Sequence, residues 1–204
     1  MSKEDNFESE YRLAEQYLLN REYENAYNIL QEISETNIGY AYNAKFWLGE
    51  MYYYGWFVEQ NYEKAYEYFK QSQHPDSYYY IGLMYYYGEY LEQNDEEAFR
   101  IFSMLEQNPR ARYMLGVMCY EKGDFKEAFN LLTSVETTNL KAKYIIGKMY
   151  CYGYYVEKDY NKAREIFSEL IETNNPYAVK NASHMLEMIK YFEDGTIPSD
   201  GIQY

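Results

Sequence analysis

One short motif returns four times along the chain: LGEMYYYG at 48–55, IGLMYYYG at 81–88, LGVMCYEKG at 115–123 and IGKMYCYG at 146–153. A unit recurring at this period is too small to bury its own apolar face, so neighbouring units must complete one another's core. The small residue of each motif serves as an anchor. Ala14, Gly49, Gly82, Gly116 and Gly147 follow one another at steps of 35, 33, 34 and 31 residues. A second small residue follows each anchor, at Ala26, Ala65, Ala98, Ala128 and Ala163. Apolar residues fall at helical spacing around both, as in Phe46, Leu48, Met51 and Tyr52 and then Ala65, Tyr66 and Phe69. That period excludes strands and makes every copy a pair of helices.

Small residues suit these positions because two helices that cross closely need a site where one backbone meets the other's side chains. Glycine inside a helix costs about 1 kcal/mol relative to alanine, so its reuse at four of five anchors signals packing that outweighs propensity. The anchor lies 12 residues before the alanine in copies one and four, and 16 before it in copies two, three and five. The difference is a loop. In the longer copies Gly55, Gly88 and Gly153 are placed to end the first helix. WFVEQNYEKA, EYLEQNDEEA and YYVEKDYNKA then share an apolar residue (Val58, Leu91, Val156) and a polar N-cap candidate (Asn61, Asn94 or Asp95, Asp159).

The pattern LGxMYYxG followed by V and DYxKAxxxF resembles the Sel-like repeat family, and the two copies with 12-residue spacing resemble tetratricopeptide repeats. The likeness covers roughly residues 8–175. It implies an all-α, right-handed superhelical solenoid whose first helices line a concave face, used for protein–protein contact and usually without catalysis. The expected organisation is one domain over 1–193, with repeats at about 8–39, 41–75, 77–108, 109–139 and 140–175 and a capping helix at 176–193. The tail at 194–204, with two glycines, a proline and no helical period, is expected to be mobile. Pro75, Pro109 and Pro176 fall at or near repeat junctions.

No uncharged apolar run is long enough for a membrane span, and MSKEDNFESEYR lacks the order of a secretory signal, so the expected location is cytoplasmic. Cys119 and Cys151 sit inside first helices without CxxC spacing, and read as buried thiols rather than zinc ligands. His184, on the last helix, reads as a packed or surface residue. The composition, rich in Tyr, Asn, Glu, Lys and Ile, has the flavour of a low-GC bacterial or phage genome. Charge is divided unevenly: residues 1–100 hold 7 Lys/Arg against 19 Asp/Glu, whereas residues 101–204 hold 12 against 14. An acidic field repels nucleic acid and anionic membrane and speeds the approach of a basic partner. It is also what any soluble helical array needs on its outer faces.

Thirty tyrosines cannot all face a core. Three consecutive residues sweep most of a helix circumference, so each triplet (Tyr52 to Tyr54, Tyr78 to Tyr80, Tyr85 to Tyr87) must send at least one ring outward. Two aromatic rows stand out on alignment. Three residues before the anchors are Tyr11, Phe46, Tyr79, Tyr113 and Tyr144; four residues after are Leu18, Tyr53, Tyr86, Tyr120 and Cys151. The rows are seven residues apart and share a helix face, which the family resemblance makes the floor of the concave groove. Between them Glu15, Glu50, Leu83, Val117 and Lys148 turn that floor from acidic to apolar to basic. The first row fits either core packing or contact with a partner. The second reads as groove-facing, because Tyr52 and Tyr85 already hold the position expected to be buried.

No GxGxxG, Walker-type loop, HExxH, GxSxG or metal-ligand spacing occurs, so no enzyme, cofactor or metal is expected. Basic–aromatic patches for nucleic acid are missing too. The leading expectation is an interaction scaffold whose aromatic, partly acidic groove binds a peptide or protein with a basic segment, steered by Glu50, Glu59 and Glu63. The alternative is an acidic inhibitor that blocks a basic toxin or nucleic-acid-binding protein, in the manner of an immunity or anti-defence protein. A peptide-sensing regulator is suggested only by analogy, and an exposed tyrosine surface also suits a homodimer.

Overall fold

The computed structural model describes residues 3–36 and 39–196. Among them are eleven helices and no strand. The chain divides into two compact units, Met1–Leu105 and Glu106–Tyr204. The first holds three helix pairs: α1 (Lys3–Leu19) with α2 (Tyr23–Ser34), α3 (Tyr40–Tyr54) with α4 (Tyr62–Gln71), and α5 (Pro75–Tyr87) with α6 (Asp95–Met104). The second holds α7 (Pro109–Lys122) with α8 (Phe125–Thr133), α9 (Leu140–Tyr152) with α10 (Tyr160–Glu172), and a last helix α11 (Pro176–Asp194) packed on α10 and α9. The fold is thus an all-α solenoid of consecutive helix pairs. The first helix starts five residues ahead of the expected repeat, and beyond residue 196 the expected mobile tail lies outside the described residues.

Each helix begins and ends for local reasons. Asn61, Asn94 and Asp159 are the N-caps of α4, α6 and α10, their side chains accepting from the N–H of Lys64 (2.9 Å), Glu97 (3.0 Å) and Lys162 (2.9 Å). Asn108, Asp124, Asn139 and Asn175 do the same for α7, α8, α9 and α11. Pro75, Pro109 and Pro176 open α5, α7 and α11, where a missing N–H is harmless. Gly55, Gly88 and Gly153 end α3, α5 and α9 in the left-handed region, at φ of 72°, 71° and 76°. The longer loops then close identically: the N-cap N–H donates back to Tyr52, Tyr85 or Tyr150 carbonyl oxygen at 2.9 Å.

The anchors do what their size permits. A Cβ on Gly49 would sit 2.6 Å from the Phe69 ring, on Gly82 2.7 Å from Phe102, on Gly116 2.8 Å from Leu132 and on Gly147 2.7 Å from Phe167. Each glycine therefore seats the large residue found four positions after the alanine of its own second helix. Those large residues, with Leu30 in the first copy, are among the largest fully buried side chains of the core. Cys119 and Cys151 are free and buried. No described helix is long and apolar enough to cross a membrane.

Replacing Gly49 or Gly82 by alanine should lower stability in urea unfolding by about 1–3 kcal/mol, since overpacking against a ring with no room exceeds the gain in helix propensity. Gly39→Ala is the control. Nothing lies within 4 Å of the added Cβ and φ is ordinary, so it should be neutral or stabilise by about 0.5 kcal/mol.

Candidate functional site

The residues singled out in the first helices do not form one exposed floor. In the first unit α3 and α5 meet along the anchor face, and the contact is filled from within. Phe46 is buried, stacked on His74 at 4.1 Å and 20°, while the Nδ1 of that histidine accepts the N–H of Asp76 and caps α5. Tyr80, only 1% exposed, lies parallel to Phe69 at 4.8 Å and donates its hydroxyl to the carboxylate of Glu50. Glu50 is itself 5% exposed. The Tyr54 hydroxyl approaches that of Tyr80 at 3.3 Å, which extends the chain of polar groups toward solvent. Tyr53 is buried under edge contacts with Tyr54, Tyr62 and Tyr80, and donates to Glu89 Oε2 at 2.5 Å.

Two expectations change in consequence, and one open reading closes. Tyr53 and Glu50 were expected on the groove and are buried; Phe46, whose row fitted either core packing or contact with a partner, is buried in the core. The reason is long-range: of the partners that cover them, Tyr80 and Glu89 belong to the following repeat and His74 is the N-cap of its first helix. Glu59 and Glu63 are exposed, but stand in the loop and the first turn of α4, not beside Glu50 on the first-helix face. Tyr79 and Tyr86 are half-buried, with Tyr79 against Phe102 at 5.8 Å. Of the rings that follow the anchors in α3 and α5, the outward ones are instead Tyr54 and Tyr87, five residues after the anchors and 47% and 57% exposed. That row was not singled out from the sequence. Its signal was present only relative to the anchors. In the two triplets that follow a glycine anchor, Tyr52 to Tyr54 and Tyr85 to Tyr87, the third ring points about 200° from the first. In Tyr78 to Tyr80, which precedes its anchor, the first ring is exposed and the third is buried.

The second unit builds the equivalent face with different chemistry. Tyr113, Tyr120 and Tyr144 are half-buried, and Cys151 takes the fully buried place of Tyr53. Lys148 stands where Glu50 does, half-buried, with its ammonium 5.6 Å from the Tyr120 ring centroid. Burial lowers the Lys148 pKa and pushes the Tyr120 phenol up to about 12. Beyond it Phe125 and Tyr154 stack at 4.4 Å and 4°, with Tyr152 against Tyr154 at 5.5 Å. Among the described residues no group of three or more His, Cys, Asp or Glu side chains is arranged to hold a metal ion.

Buried phenols make the fold sensitive to alkali. Burial raises Tyr80 and Tyr53, reinforced by Glu50 and Glu89 respectively, and burial and Tyr52 raise Tyr27 from 10.0 to about 12. A phenol that holds its proton more tightly folded than unfolded adds stability in full below its unfolded value of 10.0; that stability is lost as pH rises through 12. Unfolding free energy should therefore fall steeply over this window. Phenolate absorbance should show a class of tyrosines that ionises only with unfolding, distinct from the rest. A single class in the intact fold would contradict this. Separately, Tyr53→Ala should cost about 3–5 kcal/mol, as for other buried aromatics, while Tyr87→Ala should stay within about 0.5 kcal/mol, both read by urea unfolding.

The Sel1 repeat signature matches residues 43–72, 75–105, 109–134 and 140–172, which take in α3 to α10. Among solved structures, a Sel1 repeat protein from Oxalobacter formigenes superposes with a TM-score of 0.67 at 20% identity, over 86% of this chain and 74% of that one. A protective antigen present in uropathogenic Escherichia coli strains, which displays an SLR fold, superposes with a TM-score of 0.75 at 20% identity, over 94% of this chain and 42% of that one. No curated protein sequence matches the chain. Four matched repeats spanning more than half the residues, on a fold shared with two such proteins, place this chain in the Sel1 repeat family.

Proposed function

We propose that the chain is a protein-recognition scaffold, in keeping with a family whose members generally mediate protein–protein interactions, and that it takes an extended segment of a partner on the first-helix face of the first unit. The observation that carries this reading is the pair Tyr54 and Tyr87. Both rings are about half exposed, and each rests on other rings: Tyr54 is stacked on Trp56 at 4.8 Å and Tyr87 is edge-on to Tyr86 at 4.8 Å. The layer beneath is tied by Tyr80 to Glu50 and by Tyr53 to Glu89. Rings fixed in this way offer large contact area and a hydroxyl with little entropy left to lose on binding. The excess of acid over base in residues 1–100 favours a partner segment carrying lysine or arginine.

The same excess of acid supports a second reading, an inhibitor that covers one folded basic protein through exposed carboxylates such as Glu59 and Glu63. The two are separated by selecting peptides from a displayed library on the intact protein and measuring the best binder on variants. Under the scaffold reading Tyr54→Ala with Tyr87→Ala should weaken it by about 2 kcal/mol or more, roughly 30-fold, and salt should matter little. Insensitivity to both tyrosines, with loss in salt and on Glu59→Gln with Glu63→Gln, would move the assignment to the inhibitor.

A further inference from the structure

Eight residues after the anchors Gly49, Gly82 and Gly147 the chain places Phe57, Tyr90 and Tyr155. All three adopt left-handed backbone, at φ of 66°, 65° and 66°. Bulky side chains rarely take this conformation, and its recurrence at functional surfaces is a known pattern. The rings are also 51%, 52% and 53% exposed, so burial does not account for them. Each leans on one ring of the preceding repeat's second helix: Phe57 on Tyr27 at 5.5 Å, Tyr90 on Tyr66 at 5.7 Å, and Tyr155 on Phe129 at 5.8 Å. Three residues before those supporting rings stand Glu24, Glu63 and Lys126. The ring pairs of the first unit are thus flanked by a carboxylate and that of the second by an ammonium.

In the first unit one carboxylate touches its ring residue and the other shares a cavity with it. Tyr90 donates its hydroxyl to Glu63 Oε1 at 3.3 Å. Glu24 lines, with Arg21, Glu22, Tyr23, Asn25 and Phe57, an open cavity of about 380 Å³. Arg21 is the chain's own cation at this cavity, outnumbered by Glu22 and Glu24. The rings here already attract cations: Lys64 lies 5.0 Å over the nearby Tyr52, and Lys70 lies 5.2 Å over Tyr66, the ring that supports Tyr90, a place that an incoming guanidinium would share or take over.

We propose that Phe57 with Glu24, and Tyr90 with Glu63, form two sites for arginine side chains of a basic protein segment. A guanidinium can lie flat on the ring while its N–H groups donate to the adjacent carboxylate, a geometry that an ammonium matches poorly. The surface is made by loops and second helices, so it is separate from the first-helix face discussed above and does not depend on that reading. The Tyr155 and Phe129 pair, beside Lys126, repels such a ligand and serves as the internal control.

The probe is fluorescently labelled octa-arginine, with octa-lysine for comparison, titrated against the full chain by anisotropy. Octa-arginine should bind more tightly than octa-lysine. Phe57→Gly with Tyr90→Gly should weaken it about ten-fold or more, glycine being chosen because it keeps the left-handed backbone without strain. Glu24→Gln with Glu63→Gln, two exposed side chains whose change leaves the core intact, should weaken it comparably and keeps the test decisive if the glycine variant unfolds. Tyr155→Gly should bind as the parent does. Unchanged binding in the carboxylate variant, or a loss carried by Tyr86→Ala instead, would overturn the proposal.

Discussion

The contact on which everything else depends is a bare backbone pressed against a large side chain. Gly49, Gly82 and Gly147 each receive a phenylalanine of the second helix, and Gly116 receives Leu132. The large residue is phenylalanine wherever the loop between the helices is long and leucine in both short-loop copies, Leu30 and Leu132. With the two helices of a pair held this close, the rotation of the first helix is fixed. Tyr52, three residues past its anchor, must then lie against the second helices, where it stacks on Tyr68 at 5.7 Å and meets the Tyr27 hydroxyl at 3.0 Å. Two residues further on, Tyr54 is left facing solvent.

That constraint also explains how much could be read from the chain. Helix pairs, glycine stops, proline starts and the N-caps Asn61, Asn94 and Asp159 depend on residues close in sequence, and each has one local solution. The fate of consecutive tyrosines does not. The glycine contact fixes the rotation of the helix, but that Tyr53 is covered rather than open depends on Glu89, 36 residues away, reaching back to accept its hydroxyl. Glu50 illustrates the same limit: a charged residue reads as surface until Tyr80, 30 residues on, is found donating to it. The left-handed rings of Phe57, Tyr90 and Tyr155 were invisible for a different reason, because backbone preference argues against aromatic residues there.

The polar groups inside the first unit specify as much as they stabilise. A carboxylate taken from water is costly, and its attraction to partners seldom does more than offset that cost. What such a group contributes is geometry: Tyr80 meets Glu50 only if α3 and α5 are in one register, with His74 stacked on Phe46 at the other end of the contact. A hydrophobic pair at the same site would tolerate sliding. The outward tyrosines inherit their fixed positions from this inner layer.

Repeats of one design then carry different chemistry in the two units. Lys148 replaces Glu50 on the first-helix face, and Lys126 replaces Glu24 and Glu63 beside the supporting ring of the loop. Neither exchange disturbs the glycine contact, the caps or the left-handed loop residue, all of which recur in both units. The structural positions of the repeat are therefore separable from its variable ones. A cation drawn to Glu24 or Glu63 meets an unfavourable charge at the equivalent place in the second unit, so recognition by one unit is protected against competition from the other.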